Sequence, residues 1–292
     1  TTDVDAYNVA VGGLAGTAVT TGTNNTFVGG LAGDGTDDGT NNVAVGKSAL
    51  SANCGDNNVA IGSGALNATT GTDNTAVGKD AGVAVTSGVE NILVGKGTGD
   101  ALTDADYNVA VGSSALTQDT LGSRSVAIGQ EALSNQNFTT ATDVYNTAVG
   151  FLAGKLISTG TQNTLIGGLA GDSITTGGNN VALGYNTLIS DTQGTGSTAV
   201  GKQSLSQQNF TTASSPYNTG LGFATGSAIT TGVFNTLVGA LAGEALTDAD
   251  HNTAVGEDAL ANDTLGSRSV AIGRTALFDQ NFATATDSYN VA

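Results

Sequence analysis

The sequence has few of the residues that build an ordinary globular core. Its 292 residues include one Pro, one Cys, one His, no Met and no Trp, and aromatic residues make up only 5%. The single Cys54 excludes an intrachain disulfide and a cysteine-based metal site. No stretch approaches the ~18 consecutive apolar residues that cross a bilayer. We therefore expect no membrane contact by this segment.

Positive charge is also scarce. The chain has 8 basic against 25 acidic residues, which gives a formal net charge of -17 at pH 7. Because proteins meet phosphates with Lys and Arg, this balance argues against a nucleic-acid partner. It suits a surface exposed to salty water, or one that recruits cations.

Catalytic chemistry finds little support in the sequence. General acid–base catalysis needs titratable groups that converge in one cleft. The only His, His251, occupies a repeat position that elsewhere holds Tyr107 or Tyr145, and the serines are spread along the chain without a His partner. We therefore predict no catalytic residue, no bound organic cofactor and no enzyme activity.

What the sequence does contain is a repeat. Asn or Ser, a β-branched residue, a variable residue, an aliphatic residue and Gly recur sixteen times, as in residues 8–12, 74–78 and 252–256. The motif Gly residues are mostly 17 residues apart, and four-residue insertions recur at intervals of 72. We therefore predict one repeat array over 1–292. It divides into modules 8–73, 74–145, 146–217 and 218–289.

The repeat predicts the fold. No window has the apolar spacing of an α-helix. One repeat cannot bury its own apolar face, whereas stacked repeats can. We therefore predict an all-β protein, a parallel β-solenoid of about sixteen 17-residue coils in which equivalent strands pair along the axis.

Alternation within each strand predicts the direction of its side chains. The residues that flank the strand centre are β-branched or aliphatic, so they are predicted to point into the coil. The central residue would then face outward, although it is Ala, Phe or Leu rather than a residue typical of a solvated surface. Strands that are apolar on both faces are buried on both faces, so a second chain is predicted to cover this one. The predicted oligomer interface comprises Ala10, Phe27, Leu93, Leu165 and Leu237.

Asn opens almost every repeat, and Ser replaces it at 125, 197 and 269. Asn favours turns, and stacked identical Asn residues form hydrogen-bonded ladders. We therefore predict a structural ladder rather than a ligand site. Its members are Asn8, Asn25, Asn42, Asn58, Asn74, Asn91, Asn108, Asn146, Asn163, Asn180, Asn218, Asn235 and Asn252.

Two features are candidates for binding. Asp-rich turns can supply several of the six to eight oxygen ligands that Ca²⁺ takes, although solvated turns are the alternative. The weak calcium candidates are Asp34, Asp37, Asp38, Asp104, Asp106, Asp248 and Asp250. The insertions each carry a Phe, which could stack on a cell-surface glycan or contact a protein receptor; the alternative is that it folds back over the coil edge. These residues are Phe138, Phe210 and Phe282.

The repeated motif resembles the head repeats of YadA-like trimeric autotransporter adhesins. Residues 58–62 and 125–129 match that pattern best, although the repeat is longer than is usual in the family. The resemblance implies a left-handed β-roll and a fibre-like homotrimer of three chains packed around a common axis. Similar arrays occur in bacteriophage tail fibres.

Three functions follow from this reading. The first is a non-enzymatic extracellular fibre that serves as a shaft or an adhesive head for attachment to a cell surface or host receptor. The second is the shaft of a bacteriophage tail fibre, carried on the virion. The third is a subunit of a self-assembling extracellular filament, because the ends of a solenoid are open β edges.

Overall fold

The computed structural model describes residues 5–292. The described chain is all-β, and no helix in it is long and apolar enough to cross a membrane. Each repeat contributes one three-residue strand to a parallel β-solenoid of sixteen coils, as the repeat predicts. The coils are divided equally between two compact units, which meet in sequence between Tyr145 and Asn146.

In each unit, the strand of one coil pairs in parallel with the strand of the next, in identical register. The strands of the first unit are β1 (Val9–Val11), β2 (Thr26–Val28), β3 (Val43–Val45), β4 (Val59–Ile61), β5 (Thr75–Val77), β6 (Ile92–Val94), β7 (Val109–Val111), β8 (Gly122–Ser123), β9 (Val126–Ile128) and β10 (Thr142–Asp143). Those of the second unit are β11 (Thr147–Val149), β12 (Thr164–Ile166), β13 (Val181–Leu183), β14 (Thr198–Val200), β15 (Thr219–Leu221), β16 (Thr236–Val238), β17 (Thr253–Val255), β18 (Gly266–Ser267), β19 (Val270–Ile272) and β20 (Thr286–Asp287).

Two of the four two-residue strands, β10 and β20, belong to the insertions, and the other two lie in the coils that precede them. In the first unit β10 pairs in parallel with β8, and in the second β20 pairs in parallel with β18. The inserted residues therefore extend the stacking of the coils instead of leaving it as a disordered bulge.

The motif Gly ends each strand because no other residue fits there. Gly78 has φ 140°, a conformation that residues with a β-carbon rarely adopt. A β-carbon on Gly78 would lie only 2.3 Å from the carbonyl oxygen of Gly95 in the next coil. Close stacking thus requires Gly at this position wherever another coil follows, whereas a β-carbon on Gly273 in the last coil would meet nothing within 4 Å.

The core corrects the predicted direction of the strand side chains. The central residue of each strand points into the coil and is buried from β2 onward, whereas its two neighbours are partly or largely exposed. The prediction was wrong because it took the Val and Thr residues on either side of the strand centre for core residues. These residue types favour extended backbone whether or not they are buried. The interior of a coil is narrow and takes only one side chain from each strand.

Volume within each coil is complementary. Where the strand centre is Ala60, the opposite side of the coil supplies Leu66, and both are fully buried. Where the strand centre is Phe27, the residue equivalent to Leu66 is Gly33, on which a β-carbon would lie 2.6 Å from the Phe27 ring. No coil holds a large residue at both positions, although some, such as the coil of Ala76 and Gly82, hold a small residue at both.

Candidate functional site

The outward-facing side of the strands is apolar. We call the first and third residues of the three-residue strands the outer strand face. Its third position holds Val, Ile or Leu in all sixteen coils, and Ile61, Leu183 and Leu221 expose 40%, 42% and 47% of their surface. Strict stacking places these side chains in continuous columns in each unit. A contiguous exposed apolar surface of this kind is a candidate interaction site.

The predicted oligomer interface is therefore misplaced. Phe27, Leu93, Leu165 and Leu237 are buried inside their own coils, with at most 1% of their surface exposed. Ala10 holds the same central position in the first coil, where it is exposed. These central residues form the core, and the apolar surface that a second chain could cover lies on the other side of the strands.

The Asn residues form a ladder through their side chains and backbone. Asn42 Oδ1 accepts a hydrogen bond from the backbone N–H of Asn58 at 2.8 Å, and Asn42 Nδ2 donates to the carbonyl of Gly55 at 2.9 Å. The same contacts recur through both units, and every predicted ladder Asn from Asn25 onward is buried. The ladder satisfies buried backbone groups and leaves its amides unavailable to a ligand.

The ladder changes where Ser replaces Asn. Gln208 Nε2 donates to Ser197 Oγ at 3.0 Å and to Asp191 Oδ2 at 2.6 Å. Asp191 Oδ1 accepts from the backbone N–H groups of Gly194 and Phe210, both at 3.1 Å. Ser197, Asp191 and Gln208 are fully buried. The short Ser leaves room for the Gln amide, whose Oε1 accepts a hydrogen bond from Nδ2 of the next ladder residue, Asn218, at 2.9 Å.

We call this arrangement the Asp–Gln–Ser cluster, and it recurs every 72 residues. The other two clusters are Asp119, Gln136 and Ser125, and Asp263, Gln280 and Ser269. Sequence reasoning noticed the three Ser substitutions but missed the buried carboxylates. The signal was present, because an Asp and a Gln 17 residues apart accompany each Ser.

Burial affects the pKa of two carboxyl groups, Asp191 and Asp172, more than neighbouring charges do. Burial raises the pKa of Asp191, against the opposing effect of hydrogen bonds from Gln208 and from the backbone of Phe210. Burial also raises the pKa of Asp172, which Lys155 partly counteracts. The pKa of the buried Cys54 thiol is raised for the same reason. The charges of Asp56 and Asp38 raise the pKa of this thiol further.

The calcium candidates do not converge. Across residues 5–292, no group of three or more His, Cys, Asp or Glu side chains is placed to hold a metal ion. The carboxylates instead bind the preceding coil. Asp106 Oδ1 accepts from the N–H of Val89 at 2.8 Å, and Asp250 Oδ1 accepts from the N–H of Val233 at 2.7 Å.

The remaining calcium candidates also fail to form a cation cage. Asp104 Oδ1 and Asp248 Oδ1 each accept from a hydroxyl of the preceding coil at 2.6 Å. Asp37 Oδ1 accepts from Thr20 Oγ1, and Asp38 is exposed in the same turn. Asp34 is half-buried, and its Oδ1 has no hydrogen-bond partner.

The Phe residues of the insertions do not form exposed binding loops. Phe138 and Phe210 each expose 7% of their surface, and Phe282 is half-buried. The Phe282 ring covers Gly266, where a β-carbon would lie 2.7 Å from the ring. Of the two alternatives, the structure has the one in which the Phe folds back over the coil edge, and the backbone N–H of each Phe donates to the Asp of its cluster.

The residue before the motif Asn forms an exposed stack instead. In the second unit His251 lies 5.0 Å from Phe234 with an interplanar angle of 11°, and Phe234 lies 5.9 Å from Tyr217. In the first unit the guanidinium of Arg124 lies 4.6 Å from the ring centre of Tyr107. The only His of the chain is therefore one member of a stack.

A surface cavity of about 410 Å³ lies at the first coil. Its lining residues are Ala6, Asn8, Val19, Thr20, Thr21, Gly22 and Thr23. Because none of these side chains titrates near neutral pH, the lining supplies no general acid or base.

No protein-family model matches the chain, and a search of curated proteins finds no similar sequence. The resemblance to YadA-like head repeats therefore rests on the motif alone.

Proposed function

We propose that the chain is a non-enzymatic segment of an extracellular fibre that packs side by side into a homotrimer and serves attachment to a cell surface or host receptor. The observation that carries the proposal is the outer strand face. Every residue of its aliphatic column is at least partly exposed, and parallel strands that are apolar on both faces are normally covered on both. The motif's resemblance to trimeric adhesins favours three chains.

The size of the outer strand face suits a stable interface. Eight coils at about 4.8 Å each make a face about 38 Å long and about 10 Å wide, or about 400 Å² in each unit. The two units together offer about 800 Å² per chain, which is the usual contribution of one partner to a specific interface. The outer strand face carries no charged residue in any coil. The chain has a formal net charge of -17. Self-association through the outer strand face nevertheless does not bring like charges into direct contact.

The distribution of polar groups supports a structural role. The buried amides and carboxylates are engaged in ladders and clusters, and the only His stacks on Phe234. A fold supports a function only through its sites. Here the described groups stabilise coils and do not converge on a point where a substrate could react.

Absolute mass in solution tests the assembly. Light scattering at two protein concentrations is expected to give about three times 28.5 kDa, unchanged on dilution. Replacement of two central face residues, Ile61→Lys and Leu221→Lys, is expected to lower the mass to that of a monomer. Ser113→Lys is the matched control, because Lys47 and Lys79 already occupy the equivalent position in other coils. It is expected to leave the mass unchanged.

Other masses would contradict the proposal. A wild-type monomer would mean that the outer strand face is solvated, and it would refute the proposed side-by-side assembly. Mass that grows with concentration would favour the end-to-end filament instead. A trimer unaffected by both Lys substitutions would place the interface elsewhere.

A further inference from the structure

The residue directly after the motif Gly distinguishes the two units. In the first unit this position is small, polar or cationic: Gly13, Gly30, Lys47, Ser63, Lys79, Lys96, Ser113 and Gln130. In the second unit it is Phe151, Gly168, Tyr185, Lys202, Phe223, Ala240, Glu257 and Arg274. Because the coils are otherwise equivalent, the first unit shows that the fold does not need aromatic residues here.

The three aromatic residues at this position are exposed. Phe151, Tyr185 and Phe223 expose 52%, 50% and 48% of their surface. Single exposed apolar residues are common on proteins. Three at one repeated position, beside the aliphatic column of the outer strand face, form a patch of the kind that marks a binding site. We call Phe151, Tyr185 and Phe223 the aromatic row.

The spacing of the aromatic row is regular. Its members occupy every second coil, so neighbouring members are separated by about 10 Å along the unit. The coils between them carry small or flexible residues. Tyr185 lies over Gly168, where a β-carbon would be only 3.5 Å from its ring, and Lys202 Nζ lies 5.9 Å from the centre of the Phe223 ring.

We propose that the aromatic row binds an extended β-1,4-linked polysaccharide. In such a chain successive sugars are turned over, so the same apolar sugar face recurs with every second sugar. The length of that two-sugar repeat is close to the two-coil spacing of the row. Each ring would therefore meet an equivalent sugar face, and aromatic side chains combine a large apolar surface with the rigidity that such contacts need.

Charge and hydrogen bonding fit the same ligand. In the five coils that contain the aromatic row, neither the outer strand face nor the position after the motif Gly carries an acidic residue, although the chain as a whole is strongly acidic. Lys202 is the one charged side chain among these positions. The phenol hydroxyl of Tyr185, which is half exposed, can hydrogen-bond with the sugar hydroxyls. Apolar contacts with a few polar groups are typical of ligand sites.

This inference rests on the attachment role proposed above and names its ligand class. A second copy of the chain is the competing occupant of the aromatic row. It is less favoured because the row is interrupted at every second coil, by Gly168 and by the charged Lys202, whereas a protein interface favours a continuous apolar surface.

Binding by the full chain tests the inference. Co-sedimentation with microcrystalline cellulose and calorimetric titration with cellohexaose are the assays, and dextran, an α-linked glucan, is the control polymer. We expect the wild type to bind cellulose and cellohexaose but not dextran. The triple variant Phe151→Ser, Tyr185→Ser and Phe223→Ser is expected to bind at least tenfold more weakly. It should fold normally, since Ser63 and Ser113 hold the equivalent position in the first unit.

A matched control and a transplant sharpen the test. Tyr145 is as exposed as Phe151, at 52%, but lies outside the row, so Tyr145→Ser should leave binding unchanged. Lys47→Phe, Lys79→Tyr and Ser113→Phe would install a row with the same two-coil spacing in the first unit. Introduced into the triple variant, these substitutions should restore binding.

Several outcomes would overturn the inference. The first is a wild type that does not bind cellulose, and the second is a triple variant that binds as tightly as the wild type. The third is a Tyr145→Ser variant that loses as much affinity as the triple variant. The fourth is a triple variant with a lower solution mass than the wild type, which would make the row a self-association surface. A trimer that binds no cellulose would remove this inference alone. A monomer that binds cellulose through the row would remove only the proposed assembly.

Discussion

Phe27 and Gly33 provide a direct test of volume complementarity in the core. A β-carbon on Gly33 would lie 2.6 Å from two atoms of the Phe27 ring. Equivalent coils reverse the sizes, with Ala60 facing Leu66. The double substitution Phe27→Ala with Gly33→Leu would therefore convert one native type of coil into the other.

The expected energies follow from these contacts. Phe27→Ala removes a buried ring and should destabilise the coil by about 4 kcal/mol. Gly33→Leu alone should cost about 2 kcal/mol for overpacking, and about 1 kcal/mol more because φ at Gly33 is 60°. Leu66 already adopts φ 45° at the same place, so the backbone accepts Leu. In the double variant the Leu side chain replaces most of the lost volume, so we expect a total loss of about 3 kcal/mol and a favourable coupling of about 4 kcal/mol.

Hydrogen exchange is the appropriate assay. Solenoid coils open locally as well as globally, so the free energy of opening should be read at the amides of β2 and its neighbours, beside denaturant unfolding followed by circular dichroism. Additive losses in the double variant would refute the complementarity. So would a Gly33→Leu variant as stable as the wild type.

Three further predictions concern buried groups and stacking. Burial raises the pKa of Asp191 in the folded state, so the folded state binds this proton more tightly than the unfolded state does. The resulting stabilisation is complete below the unfolded pKa and is lost as pH rises through the folded pKa. The melting temperature of the wild type relative to Asp191→Asn should therefore fall from acid to neutral pH. Ser197→Asn restores the repeat consensus but crowds Gln208, whose Nε2 lies 3.0 Å from Ser197 Oγ, and should destabilise by about 2 kcal/mol in urea unfolding. Gly78→Ala should destabilise by more than about 3 kcal/mol in the same assay, because its β-carbon would contact the next coil.

Each of these predictions has a contrary result and a control. A melting-temperature difference that grows toward neutral pH would reverse the sign argued for Asp191. A stabilising Ser197→Asn would show that the Gln208 amide does not need the short side chain. Gly13→Ala is the control for Gly78→Ala, since its β-carbon would meet nothing within 4 Å. Equal losses at Gly13 and Gly78 would show that stacking distance is not the cause.

The sequence predicted the solenoid because periodicity is sufficient for it. A motif that recurs sixteen times and cannot bury its apolar side chains alone specifies stacked coils. The direction of the strand side chains was not predictable in the same way. Val43 and Val45 look like core residues, but they flank the buried Ala44 and are partly exposed. Residues that favour extended strands are also the residues that fill cores, so residue type does not show which strand positions face inward. Only the size relation between Ala60 and Leu66, or between Phe27 and Gly33, identifies the central residue as the inward-facing one.

The candidate sites were less predictable than the fold. Phe138 attracted attention as an aromatic residue in a polar segment, but its burial depends on Asp119, which lies 19 residues earlier and one coil away. The exposed aromatics at Phe151, Tyr185 and Phe223 were missed because their common position emerges only when the coils are aligned on the motif Gly. In a repeat protein, a comparison between coils shows which residues the fold itself does not require.

The Asp–Gln–Ser cluster also bears on how such a chain finds its correct alignment. Nearly identical coils can stack out of register during folding, and hydrogen bonding alone does not oppose a slip by one coil. A slip by one, two or three coils in the second unit would separate Asp191 from Gln208 and bury a carboxylate without its amide partner. That loss is costly in a dry interior. A slip by four coils would bring Asp191 beside Gln280, the equivalent residue of the next cluster, and escape the penalty. The clusters therefore destabilise any misalignment smaller than four coils. For the same reason, insertion or deletion of coils preserves the cluster contacts only when it involves whole groups of four.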